Sequence, residues 1–174
     1  MRTKILQPGE EDAEKGLKRA QNLANTPVGE GHDNYLQGII VQFDIYAPLY
    51  MWKQIQRYHW IDFISSMSTM YCITKFNIKG QCNKYVWKST INRLNLLISR
   101  YNENRDKEVW YEIISNIPSG FILGASLTTN YRQLKTIYNQ RKNHRLNEWR
   151  EFCEWIKTLP HSELIINDRN GEEK

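Results

Sequence analysis

Trp87, Ile91, Leu94, Ile98 and Tyr101 recur at steps of four, three, four and three residues. Only a helix turning once every 3.6 residues or so places such a series on one side. The chain therefore must hold an amphipathic helix over roughly 84–101, with this stripe turned inward. Elsewhere the period changes. Ile39 to Tyr46 is β-branched and partly alternating, as a strand requires, and Ala47-Pro48 ends it. Pro48 suits the first turn of a following helix, where its missing amide hydrogen has no job; that helix runs to about Tyr58. The stretch 59–79 is rich in Ser, Met and aromatics, has no clean period, and reads as a short helix within irregular structure. A helix over 107–116 turns Val109, Trp110, Ile113 and Ile114 inward and stops before Pro118. Phe121 to Thr128 fits a strand or a buried helix. Thr129 or Asn130 is the N-cap of the next helix, which reaches about Arg141 with Tyr131, Leu134, Ile137 and Tyr138 inward. A last helix over 146–159 puts Leu146, Trp149, Cys153 and Ile156 on one stripe and ends at Pro160. Near the start, 11–25 is a short helix with Leu17, Ala20 and Leu23 inward.

A chain of 174 residues suits one domain with a real core. Its 40% hydrophobic content supports a packed interior and argues against wholesale disorder. No apolar run is long enough to span a bilayer, and residues 1–8 lack the apolar core of a secretory signal. The cysteines, Cys72, Cys82 and Cys153, are odd in number and show no metal-ligand spacing. A reduced, cytoplasmic setting without a metal site fits them, as small buried hydrophobes. The organisation expected is a loosely determined N-terminal segment over 1–30, a single domain over 31–167 and a loose charged tail over 168–174.

Net charge is +5, and its placement says more than its size. Between Asn130 and Arg150 stand Arg132, Lys135, Arg141, Lys142, Arg145 and Arg150 against one anion, Glu148. Six minus one is five, so this stretch holds the whole excess. Such a run is either a solvated helix face or a site for phosphate or another anion. Arg141 follows Leu134 by seven residues, on the apolar stripe. A guanidinium there either snorkels to water from the helix end or points into a cavity at an anion. Asn130 and Arg132 open the same helix, where the backbone dipole also favours anions. Far upstream, Gln54 and Arg57 lie three apart and share a helix face, while Met51 and Ile55 anchor another face in the core. Gln54 offers a donor and an acceptor and Arg57 a planar fork of donors. The pair suits a nucleobase or phosphate, or is a plain exposed polar face. His59 sits between Tyr58 and Trp60, where a lone histidine is commonly structural. Ser65, Ser66 and Ser68 follow without the elbow motif that would make one of them a nucleophile, and Gly29-x-Gly31 lacks the strand and helix that frame a dinucleotide loop.

Taken together, these residues resemble the flavin-dependent thymidylate synthase family. A strand, an Ala-Pro turn and a Gln three residues before an Arg are familiar in it, and 39–46, Ala47-Pro48 and Gln54/Arg57 follow that order. Gly31-His32-Asp33 resembles the family's approach to the strand. Asn130-Tyr131-Arg132-Gln133-Leu134 followed by Arg141 resembles its Asn-x-Arg-x-Leu helix. The similarity covers about 25–156, with a shorter central region. The family's Arg-His-Arg, seven residues, then Ser departs here. It reads Arg57-Tyr58-His59 with Met67 in the Ser position, or Tyr58-His59-Trp60 with Ser68 and Tyr71 in place. In the second register Met70 stands where an Arg is expected. Ser65 or Ser66 replaces an acidic residue, and Gly38 a histidine tied to flavin binding.

The resemblance implies an α+β fold, a small antiparallel sheet packed with several helices. It implies methylation of a dUMP-like pyrimidine deoxynucleotide at base carbon 5, with FAD as cofactor and NADPH and methylenetetrahydrofolate as co-substrates. His59 and Ser68 would line the reaction face. Gln54, Arg57 and Arg141 would bind substrate, and Asn130, Arg132 and Arg145 the cofactor. Family members are homotetramers with shared sites, so a homo-oligomer is expected, with no membrane. Two rivals stand beside the enzyme. One is a catalytically inactive descendant that binds a nucleotide or a macromolecular partner. The other, ranked last, is an RNA- or DNA-binding protein using the basic 130–150 segment.

Overall fold

The structure is a computed structural model and describes residues 10–26 and 30–166; the expected tail over 168–174 lies outside them. In chain order the elements are α1 (Glu10–Ala24), a 3-10 turn (Asn34–Gly38), β1 (Ile40–Pro48), α2 (Leu49–Ile55) and β2 (Asp62–Ser66). Then come α3 (Thr69–Cys72), a 3-10 turn (Ile73–Lys75), α4 (Ile78–Gln81), α5 (Lys88–Asn104) and α6 (Lys107–Ser115). The chain closes with β3 (Ile122–Asn130), α7 (Tyr131–Arg141), α8 (Asn147–Lys157) and a 3-10 turn (Ser162–Leu164). The class is α+β, with one antiparallel sheet in the order β1-β3-β2. No described helix is long and apolar enough to cross a membrane.

The described residues gather into two compact units. One runs from Gln42 to Thr129. Its core is Ile73, Ile78, Leu94, Leu97, Ile98, Val109, Ile113 and Phe121, contributed largely by α5 and α6, which pack together. Two residues join these helices. Arg105 ends α5 in the left-handed region, with φ 52°, and Asp106 caps α6 by accepting from the Glu108 amide at 2.8 Å. Leu94 and Ile98 are buried as the stripe requires, Leu97 widens it, and Ile91 and Tyr101 pack at its margin. Trp87 breaks the expectation and is 77% exposed. It is the extended N-cap residue of α5, with ψ 138°, so the helical rotation that turns Leu94 inward does not carry it.

Phe121 to Thr128 resolves as strand. The stretch 59–79 contains a strand absent from the expectation, β2, paired antiparallel to β3 with Asp62 opposite Thr128 and Ser66 opposite Ala125. All five of its residues are exposed, so there was no inward face to write an alternation into its sequence. The pairing slips between Phe63 and Ser65. Irregularities of this kind are common on edge strands and discourage edge-to-edge pairing.

The other unit holds the described residues up to Val41 and from Asn130 onward. In α7, Tyr131, Leu134, Ile137 and Tyr138 are buried as expected; in α8, Trp149, Cys153 and Ile156 are joined by Phe152. Helix α8 ends at Lys157, short of the expected Leu159. The α1 helix matches the expected 11–25 within a residue at each end. Tyr35 Oη donates to the Ala20 carbonyl at 2.6 Å, and Tyr131 Oη donates to the Pro160 carbonyl.

Candidate functional site

In the unit that contains α7, the first finding concerns Lys135, which the sequence shows only as one cation among six. It lies four residues after Tyr131 and three before Tyr138, on the buried stripe itself, and is 5% exposed. A buried ammonium must be met by acceptors or it destabilises the fold. Lys135 Nζ donates to the Ala24 carbonyl at 2.5 Å and pairs with Asp33 Oδ2 at 3.2 Å. Arg132 Nε approaches the other carboxylate oxygen of Asp33 at 3.5 Å, with its side chain 38% exposed. Asp33 therefore binds two of the six cations to the fold.

Asn130, and not Thr129, caps α7: its Oδ1 accepts from the Gln133 amide at 2.9 Å. That oxygen and one amide at the helix start are thus occupied by the cap. Arg141 ends α7 half-buried, its guanidinium carbon 4.7 Å from the centroid of the buried Trp149 ring. It lies over an aromatic face, a contact worth about 0.5–2 kcal/mol, at a helix end where a cation is favoured. Arg150 brackets the turn between α7 and α8. It donates to the His144 carbonyl at 2.6 Å, the Arg145 carbonyl at 3.2 Å and Asn147 Oδ1 at 2.9 Å. Burial, and then the charges of Arg141, Arg145 and Arg150, hold the His144 imidazole below its ordinary pKa. His144 Nδ1 accepts from the Leu146 amide at 3.2 Å, which requires that nitrogen to be unprotonated. Arg145 is exposed.

The unit that contains the sheet carries the other candidates. Gln54 is half-buried on α2; Arg57 and His59 lie exposed in the turn beyond it, where the Arg57 amide donates to the Gln54 carbonyl at 3.2 Å. The His59 ring meets Trp60 edge-on at 5.3 Å. Ser68 caps α3, accepting from the Tyr71 amide at 3.4 Å. The same unit holds a cavity of about 280 Å³ over the sheet, walled by Asp44, Tyr46, Ser65, Ser66, Met67 and Ser126 around Gly124. Ser126 Oγ donates to Asp44 Oδ1 at 2.5 Å. A Cβ on Gly124 would sit 2.7 Å from the Tyr46 ring and 3.0 Å from Met67 Sδ, so a larger residue there would push these side chains aside. An apolar cleft of about 180 Å³ continues from it past Leu49, Trp52 and Phe63. Ser65 and Ser66 are the positions noted for a missing acid; Asp44 and Tyr46 carried no signal in the sequence beyond strand alternation. Gln54, Arg57, His59 and Ser68 are not among the residues lining either cavity.

A carboxylate and hydroxyls beside an aromatic ring suit a flat hydrogen-bonding ring better than a phosphate. The guanidinium groups of Arg132, Arg141 and Arg145 are the opposite, each a donor fork suited to an anion, with Arg132 at the start of α7 and Arg141 at its end. Among the described residues no cluster of His, Cys, Asp and Glu forms a metal site.

Solved structures share this fold. The flavin-dependent thymidylate synthase ThyX from Helicobacter pylori, complexed with FAD and dUMP, superposes with a TM-score of 0.69 and 15% identity, over 90% of this chain and 84% of that one. A second structure of the same Helicobacter pylori protein with FAD and dUMP gives 0.73 and 13%, over 94% and 87%. No family model matches the sequence, and no curated protein does.

Proposed function

We propose that this chain is a divergent flavin-dependent thymidylate synthase-like protein that binds a pyrimidine deoxynucleotide and a flavin and methylates carbon 5 of the base. The fold carries the reading: it is shared along nine-tenths of the chain with a protein solved with FAD and dUMP. Fold alone does not fix chemistry; the donor set adds to it. Arg132 and Arg145 keep exposed or partly exposed guanidinium groups suited to a flavin's phosphates, with Asn130 fixing the start of the helix that carries Arg132. Bound reduced flavin would supply the hydride, and methylenetetrahydrofolate the carbon. The protein's part is to bind, orient and polarise. We assign Arg141, which lies over the Trp149 ring, to a phosphate, Gln54 and Arg57 to the nucleotide, and His59 and Ser68 to the reaction face. None of these assigned side chains lines the cavity of about 280 Å³ over the sheet, so we place the working protein in a homo-oligomer whose further copies complete each site.

The test is the absorbance spectrum of the purified protein before and after adding FAD, followed by tritium release from dUMP labelled at carbon 5, with NADPH and methylenetetrahydrofolate. A bound flavin spectrum and tritium release are expected, with Arg141→Ala weakening nucleotide binding. Failure to take up FAD overturns the enzyme reading.

A second reading, a binding protein without catalysis, draws on specific residues. Ser65 or Ser66 and Gly38 stand where an acid and a histidine are expected, and Ser68 is used as a helix cap. It requires a melting shift with dUMP and no tritium release.

A further inference from the structure

Tyr85 and Trp87 are two large side chains left in solvent. They are 74% and 77% exposed, yet the segment carrying them is fixed. The Asn83 amide donates to the Gly120 carbonyl at 3.0 Å, the Val86 amide to the Asn83 carbonyl at 3.2 Å, and the Tyr85 amide to Asn83 Oδ1 at 3.1 Å. A Cβ at Gly120 would meet Asn83 Oδ1 and a Val86 methyl at 2.7 Å, so the turn is pressed hard against that glycine. Asn83 Nδ2 also donates to Tyr50 Oη at 3.3 Å. The rings thus project from a tied-down turn and flank a cleft of about 270 Å³ with Tyr50, Thr90 and Pro118 in its walls.

The chain on either side of these rings carries charge of one sign. From Phe63 to Asn102 the sequence holds Lys75, Lys79, Lys84, Lys88, Arg93 and Arg100 and no Asp or Glu, a net +6 over that stretch. All six are exposed; of these, Arg93 is paired, with Glu112 at 3.0 Å. Lys84 Nζ lies 5.2 Å from the Tyr85 ring centroid. Exposed rings on a fixed turn, flanked in the chain by Lys84 and Lys88, are what a single strand of nucleic acid needs: faces for its bases and charge for its phosphates. A neutral peptide would gain nothing from this positive charge.

We infer that Tyr85 and Trp87, with Lys84 and Lys88 beside them, form a stacking surface for single-stranded nucleic acid. The surface does not use the residues assigned to the nucleotide or the flavin, so it stands or falls apart from them.

The test is fluorescence anisotropy of a labelled oligothymidylate of about twelve residues, a length within the usual single-strand site sizes, with an abasic strand of the same length as the comparison. The thymidylate strand should bind tighter than the abasic one. Trp87→Ala should lose about tenfold in affinity and Tyr85→Ala a comparable amount, as removal of a stacked base contact does. Lys84→Ala/Lys88→Ala should lower the slope of log affinity against log salt by roughly one to one and a half, two phosphates at about 0.7 each. Both aromatic side chains are largely in solvent, so circular dichroism should show the variants folded. Equal affinity for the two strands, unchanged binding by folded Trp87→Ala, or no binding at low salt each overturns the inference. So does binding that survives Trp87→Ala but is abolished by Arg145→Ala/Arg150→Ala, which would place the strand on the other basic segment. Capture of a proline-rich peptide by the cleft with no affinity for the oligonucleotide would likewise refute it.

Discussion

Asp33→Ala should be among the most damaging single changes of a partly exposed residue in this protein. Lys135 is 6% exposed in its side chain and Asp33 19%, with 3.2 Å between Nζ and Oδ2. Removing one partner of a buried pair generally costs about 3–5 kcal/mol, because the other charge is left without compensation. Here the Ala24 carbonyl at 2.5 Å remains an acceptor, and water reaches part of the carboxylate, so the expected loss is about 2–3 kcal/mol. Arg132, 38% exposed and 3.5 Å away, adds at most about 1 kcal/mol. In a chain of this size the loss corresponds to roughly 5–10 °C in Tm. Urea denaturation of the wild type, Asp33→Ala, Lys135→Met and the double variant measures it. The double variant replaces the pair by apolar groups, which is often near neutral, and should return to within about 1 kcal/mol of the wild type. A loss below about 0.5 kcal/mol in Asp33→Ala, or a double variant no better than the single, would refute the view that the carboxylate serves the buried amine.

Three further outcomes follow from the same geometry. His144 titrates below its ordinary value of about 6.5 through burial and three arginines. The unfolded chain then binds its proton first as pH falls, so this group's stabilisation is full above that value and declines below it. The urea midpoint should drop between pH 8 and 5.5, and His144→Asn, which keeps an acceptor, should flatten that slope; an unchanged slope counts against it. Burial pushes the Cys153 thiol up to about 11, so at pH 8 only about one in a thousand is thiolate. Native protein should alkylate at Cys72 well before Cys153, which mass spectrometry of labelled peptides reads directly. Arg150→Ala removes donors to two carbonyls and Asn147 and should cost about 1 kcal/mol. Arg145→Ala, at an exposed position, should stay within about 0.5 kcal/mol. Thermal melts of both variants distinguish them.

The helices were legible wherever burial is one-sided. Leu94 with Ile98, Val109 with Ile113, and Leu134 with Ile137 each repeat with the helix, and the structure buries all of them. β1 was legible from its branched residues and from Ala47-Pro48. β2 was not, because a strand exposed at every residue writes no period. Trp87 misled for a related reason: spacing extends a stripe past the point where the backbone stops turning, and ψ 138° at Trp87 marks that point. Lys135 was legible in principle, since it stands four after Tyr131, but a lysine on a stripe reads as charge until an acceptor is seen. Asp44, Ser126 and Gly124 are brought together by strand pairing, which local sequence does not encode.

The basic 130–150 segment shows why charge counted along a chain is a weak guide to a site. Its cations do different jobs at similar spacing. Lys135 is buried against Asp33 and a carbonyl, and Arg150 ties a turn. Arg132 divides itself between Asp33 and solvent, while Arg141 lies over Trp149 and Arg145 faces water. A positive charge neutralised within the fold adds little to the field an incoming anion meets. The effective attraction of this segment is therefore smaller than its formal +5, and it is concentrated in the residues least engaged by the fold. The stretch from Phe63 to Asn102 inverts this relation. Its charge is unremarkable in a whole-chain sum, where distant acids cancel it, yet its six cations are exposed with no acid interleaved among them; Arg93 is met by Glu112, and the field of the others extends over about a Debye length. Exposure and local neutralisation, not the count, decide which basic segment an anionic polymer would meet first.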